Sequence, residues 1–181
     1  MTCIVGVEVG NKVVLAGDIQ GSGGNNKIVH TQPKVFKNGE MGFGYTTSYR
    51  FGQLIEHSVT KEFVPQSEDM IYPWLIKEFV PHCKKTLQEG GYDGGGMCLI
   101  GVKGQLWELQ SEFSILRSTK GFNAVGSGYE YALGAMDTIF SKRDRNLMSV
   151  EEVVAVLKDV MVTVSTYCPT VGSDCVAIVV E

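Results

Sequence analysis

Two stretches, Met1-Thr2-Cys3-Ile4-Val5-Gly6-Val7 and Val13-Val14-Leu15-Ala16-Gly17-Asp18, meet at Gly10-Asn11 and read as a β-hairpin that starts the chain inside its own fold. Their placement at the terminus matters chemically. Removal of one methionine before a small residue would leave Thr2 first, with a free α-amine beside its own hydroxyl, a nucleophile with a base built in. No charged and apolar leader precedes the hairpin and no apolar run reaches membrane-spanning length, so a cytoplasmic protein is expected. Two registers are open. A three-residue loop, Val9-Gly10-Asn11, faces Glu8 with Lys12 and puts Thr2 on the same side of the sheet as Asp18. A two-residue loop, Gly10-Asn11, pairs Cys3 with Asp18 and turns Thr2 to the other face.

Outward from the hairpin, Ile19-Gln20-Gly21-Ser22-Gly23-Gly24-Asn25-Asn26 reads as a polar loop. An extended pattern and not a helix follows it, which argues against a phosphate-binding glycine motif. Lys34-Val35-Phe36-Lys37 and Glu40-Met41-Gly42-Phe43-Gly44-Tyr45 flank Asn38-Gly39, a strong hairpin signal. Apolar residues at helical spacing predict a helix from Ser48 to about Phe63 and another from about Asp69 to Gln88, which Pro81 should kink or end. A hairpin over residues 97–109 and extended runs at Ser114-Ile115-Leu116 and Phe122-Asn123-Ala124-Val125 come next. Gly126-Ser127-Gly128 then passes a strand to a helix, and Ser149 with Glu152 forms a capping box ahead of a further helix. The final run, Cys175-Val176-Ala177-Ile178-Val179-Val180, suits a buried strand. This order predicts an α+β fold: a four-layer αββα sandwich of two antiparallel sheets flanked by helix pairs, in one domain over residues 1–181.

At 181 residues, 44% of them hydrophobic, the chain is long enough for a well-packed core, and its net charge of −4 leaves no basic footprint for nucleic acid. The cluster Lys142-Arg143-Asp144-Arg145 is broken by an acid and reads as a solvated connector. Five cysteines without a C-x-x-C spacing predict buried free thiols in a reducing compartment. His30, His57 and His82 form no metal-ligand motif, and no histidine is spaced to activate Ser127.

Four polar positions fall where strand ends can converge: Thr2, Asp18, Lys34 and Ser127. Singly, each has a plainer explanation. Asp18 fits a turn, Lys34 a solvated strand end and Ser127 a helix cap.

Together with their surroundings they resemble a family, the proteasome β-subunit-like N-terminal-nucleophile hydrolases, which include the bacterial ATP-dependent peptidase HslV. The likeness rests on Thr2 to Val7, Val13 to Asp18, Pro33-Lys34-Val35-Phe36 and Ala124 to Gly128 with Tyr131-Ala132, in the family's order and spacing over essentially the whole chain. It implies the same αββα sandwich and a threonine peptidase. Thr2 would be the nucleophile, Lys34 would favour the developing alkoxide, Asp18 would hold Lys34, and Ser127 would bond near the terminal amine. Gly44 would supply the oxyanion N–H, with Gly42 the competing alignment. Ser22, Gly42 and Thr46 would touch substrate. Gly42 at the pocket floor implies a roomy pocket, whereas Glu40 there implies a preference for basic side chains. The acid that often buttresses this site is missing, Tyr167 and Thr170 being the nearest match. The resemblance implies no metal or organic cofactor, a peptide or unfolded-protein substrate and a homo-oligomeric ring, and it leaves open an ATPase or cap partner. Two other functions fit the same fold: an inactive structural ring subunit, for which retention of Met1 would speak, and an amidohydrolase of small amides.

Overall fold

The computed structural model describes residues 2–23, 26–59 and 64–181, so Met1 and the Met1–Thr2 junction lie outside it, as do Gly24-Asn25 and the last predicted turn of the first helix. β1 (Cys3–Val9) and β2 (Lys12–Asp18) form the opening hairpin, with Ile4 opposite Gly17 and Val9 opposite Lys12. The loop is therefore the two-residue Gly10-Asn11, and Glu8 does not face Lys12. Gly10, at φ +56°, gives the backbone the twist that a two-residue hairpin turn needs. Glu8 instead accepts from the Leu106 N–H at 2.8 Å and pairs with Arg117 at 2.9 Å.

β3 (Gln20–Gly23) pairs with β4 (Asn26–Val29) where the sequence reads as loop: the glycines form an extended edge instead of a turn. β5 (Val35–Asn38) and β6 (Met41–Tyr45) make the next hairpin, with Asn38 paired to Met41. The turn is thus Gly39-Glu40, one residue later than expected. Asn38 is held in the strand because its buried Nδ2 donates to the carbonyls of Ile55 and Val59, each at 3.0 Å.

Ser48 caps α1 (Tyr49–His57), its side chain accepting from the Arg50 N–H. The following helical stretch runs as α2 (Ile71–Trp74), a π-helical segment (Leu75–Phe79) and α3 (Val80–Glu89). Pro81 does not end it. Proline removes one donor and crowds the carbonyl four residues earlier, that of Lys77, and the wider π turn at that place absorbs the crowding.

β7 (Cys98–Val102), β8 (Gln105–Leu109) and β9 (Ile115–Leu116) extend one sheet, in the order β5-β6-β7-β8-β9. β10 (Phe122–Gly126), α4 (Tyr129–Phe140), α5 (Val150–Tyr167) and β11 (Cys175–Val180) complete the other, ordered β10-β1-β2-β11. The predicted capping box at Ser149 and Glu152 is formed. β11 is an edge strand and not a central one, and its residues from Cys175 to Val179 are only half-buried.

Three apolar clusters give the layers. Cys3, Val5, Val7, Val14 and Ala16 pack on α4 and α5; Ile4, Val13 and Leu15 meet Val35, Leu99 and Leu106 between the sheets; Phe43, Ile100 and Leu109 pack on α1 and the helical stretch from α2 to α3. The result is the αββα sandwich, with its strand ends gathered around Thr2. No helix of the described residues is long and apolar enough to cross a membrane.

Candidate active site

Asp18 ends β2 with no solvent exposure, and its carboxylate is the acceptor around which one end of the sandwich is built. One oxygen accepts from the Cys3 N–H at 3.1 Å and the Lys34 ammonium at 3.0 Å; the other accepts from the N–H groups of Gln20 and Gly172, each at 3.3 Å. It is no turn residue. Lys34, immediately before β5, is only 2% exposed and also donates to the Gln20 carbonyl at 2.5 Å. Burial holds its pKa below the usual lysine value, and the Asp18 charge works against that shift. A solvated strand-end charge is thereby excluded.

Thr2 stands just before β1, 5% exposed, and its carbonyl accepts from the Ser127 hydroxyl at 3.3 Å. Gly128, not Ser127, is the N-cap of α4, which frees the Ser127 side chain for the chain terminus. Gly126 explains how β10 comes so close. Its φ is +97°, and a Cβ there would collide with the Thr2 carbonyl oxygen.

Behind Ser127, the Thr170 hydroxyl lies 3.0 Å from its Oγ, while Tyr167 is 64% exposed and stacks on Tyr131 away from the site. Of the two residues matched to the missing buttress, only Thr170 is therefore in place. Cys168, expected only as a buried free thiol, lies beside Ser127 and Thr170. Its thiol contacts the Thr170 hydroxyl at 3.3 Å and donates to the Ser127 carbonyl at 3.7 Å. A cysteine two residues before the expected buttress was the available signal. Cys3, fully buried beside Thr2, has its thiol pKa pushed up to about 12 by burial first and by the Asp18 charge next.

These side chains open on a cleft of about 550 Å³. Thr2, Gly21, Lys34, Ser127 and the stretch from Tyr45 to Arg50 line it. Gly44 and Gly42 do not line it. Gly44 lies between Val35 and Leu99 in the ladder, and a side chain there would strike Ile4; one at Gly42 would strike Val180. Glu40 is also elsewhere, paired with Lys103 at 2.5 Å. Thr46 does line the cleft, with its N–H donating to the Met97 carbonyl at 2.9 Å. Thr47 follows at φ +81°, a left-handed conformation that costs a threonine of order 1–3 kcal/mol. Its hydroxyl accepts from the Met97 N–H at 3.3 Å; among the described residues nothing accepts from its own N–H. Ser22 lies in β3 opposite Lys27, next in sequence to the lining residue Gly21.

A larger cavity, about 700 Å³, lies over the outer face of the second sheet, bordered by Phe43, Trp74, Phe79 and Lys85; Glu40 lines it, whereas Thr2, Asp18, Lys34 and Ser127 do not. Among the described residues no three metal-ligating side chains come together.

No protein-family profile and no curated protein sequence matches the chain. Solved structures do. The chain is similar to BPH of Thiobacillus denitrificans in complex with Epoxomicin, with a TM-score of 0.79 at 19% identity over 99% of this chain and 98% of that one. It is similar to eukaryotic HslV from Trypanosoma brucei, with a TM-score of 0.68 at 17% identity over 99% of each chain. It is also similar to an Anbu (Gly-1) mutant from Hyphomicrobium sp. strain MC1, with a TM-score of 0.71 at 15% identity over 100% of this chain and 82% of that one. The chain therefore has the fold of these structures, an HslV-like one.

Proposed function

We propose that the chain is a threonine peptidase, active once it is cut before Thr2. The observation that carries this reading is the fully buried Asp18–Lys34 pair beside the Thr2 position, in a cleft that Ser127 also lines. A buried carboxylate with four donors and a buried ammonium are costly unless paired, and they fix a positive charge at one place. In the proposed reaction the Thr2 hydroxyl attacks the substrate carbonyl, its proton passing through a water to the Thr2 α-amine. Lys34 stabilises the alkoxide. The Thr47 N–H takes the oxyanion role that the sequence assigned to Gly44, which sits in the ladder instead. The tetrahedral adduct collapses, the C–N bond breaks and the leaving amine takes the proton; water then cleaves the Thr2 ester. β3, paired on one edge with β4, offers its other edge to an extended peptide near Gly21 and Ser22.

By the same reading the substrate is a peptide or unfolded protein, the subunit assembles into a homo-oligomeric ring, and it works in the cytoplasm. The test is hydrolysis of fluorogenic peptides by protein whose intact mass shows Thr2 at the N-terminus. Turnover that vanishes in Thr2→Ala is expected; turnover unaffected by that substitution overturns the mechanism.

A further inference from the structure

Resting on the peptidase reading, we infer that the cleft selects an acidic side chain on the acyl side of the cut bond and that Arg50 is the residue that reads it. The described lining carries two cations, Lys34 and Arg50, and no carboxylate. The two cations differ in what they have left to give. Lys34 is fully buried and its charge is answered by Asp18. Arg50 is in no ion pair among the described residues.

Arg50 is also held in place. Its backbone N–H donates to the Ser48 side chain in the first turn of α1, and its guanidinium Nη2 donates to the Gly90 carbonyl at 2.8 Å. A guanidinium has five N–H donors in a rigid fork, so one edge can be tethered to Gly90 while others meet a carboxylate. The stretch of lining before Arg50, Tyr45, Thr46, Thr47, Ser48 and Tyr49, is uncharged at neutral pH and offers hydroxyl groups. Neither Gly42 nor Glu40 lines this cleft: a side chain at Gly42 would strike Val180, and Glu40 pairs with Lys103. A basic side chain therefore finds no carboxylate in this lining, whereas an acidic one finds Arg50.

The isosteric pair Glu and Gln isolates charge from shape. With protein beginning at Thr2, kcat/KM for an acyl-side Glu peptide should exceed that for the Gln peptide by about 10- to 100-fold, the range of a charge-assisted hydrogen bond. Arg50→Gln should bring that ratio to about one, and Arg50→Glu should turn the preference toward a Lys peptide. A wild-type ratio of one or less, or a ratio unchanged in Arg50→Gln, overturns the inference. Binding of labelled Glu and Gln peptide amides to Thr2→Ala, read by fluorescence anisotropy, separates the two readings. Tighter Glu binding that is lost on adding Arg50→Gln supports the Arg50 assignment even if no peptide is hydrolysed, a result that sinks the peptidase reading alone. Equal binding overturns the Arg50 assignment even if hydrolysis is observed.

Discussion

Two cavities of this molecule differ in the direction opposite to their size. The larger, about 700 Å³, is floored by Phe43 and Phe79 and is a gap between the second sheet and its helices. The smaller, about 550 Å³, gathers Thr2, Lys34 and Ser127 from three separated parts of the chain. Volume alone would choose the first. A buried, charge-paired lysine with a shifted pKa, lining the same cleft as a strained backbone position, chooses the second. The lesson is that a site is marked by what the fold spends stability to hold there, and the large cavity holds nothing of that kind.

Substitutions on the two sides should separate cleanly. Thr2→Ala should lower kcat/KM by roughly 10³-fold or more, with the denaturant midpoint little changed because the replaced hydroxyl faces the cleft. Asp18→Asn should act on both quantities. It leaves the Lys34 ammonium buried without a counter-charge, so unfolding free energy from urea titration should fall by about 3–5 kcal/mol, and turnover should fall with it. Phe43→Ala, in the large cavity, should cost about 3 kcal/mol, the low end for a buried aromatic, because Phe43 already borders empty space. Turnover per folded molecule should be retained there. If Phe43→Ala abolished turnover without unfolding the protein, the separation of the two cavities would fail.

The smallest effect is in the pH profile. Burial lowers the folded pKa of Lys34 below its ordinary 10.5 while Asp18 raises it. The ammonium should therefore be lost, and kcat/KM should decline, at a pH below 10.5. In Asp18→Asn that alkaline limb should move lower still. The linked stability term has the matching sign. Between the lowered value and 10.5 the unfolded chain binds more protons, so the cost of burying Lys34 is full at neutral pH and fades as pH rises through that window. An alkaline limb that moves upward in Asp18→Asn would contradict the pairing.

Much of the fold was legible because local chemistry and global pattern agree. Gly10 and Gly39 mark turns, Ser149 and Glu152 close a capping box, and Phe51, Leu54 and Ile55 fall on the buried face of α1. The convergence of Thr2, Asp18, Lys34 and Ser127 was legible only as an ordered set, each residue having an ordinary explanation alone. What stayed hidden depends on tertiary demand. Asn38 leaves the turn because two carbonyls near the end of α1 need its amide. The glycines of β3 pair with β4, though no apolar pattern announces a strand. Thr47 could not be seen, since a threonine gives no sign of positive φ, and glycine spacing drew attention to Gly44 instead. Cys168 read as one more buried thiol because Ser127, 41 residues away in sequence, reaches it only in three dimensions.

Cys3 gives the site a property that concerns reagents more than turnover. The residue next to the proposed nucleophile is the side chain that most electrophiles would attack first, yet it is fully buried and its pKa is about 12. At neutral pH such a thiol stays protonated, and the thiol is the weaker nucleophile. A covalent probe aimed at a terminal hydroxyl and amine would therefore meet little competition from its immediate neighbour. Thiol-directed labels should likewise pass Thr2 by, so the two kinds of reagent can be used on one sample to count terminal threonines and accessible cysteines independently.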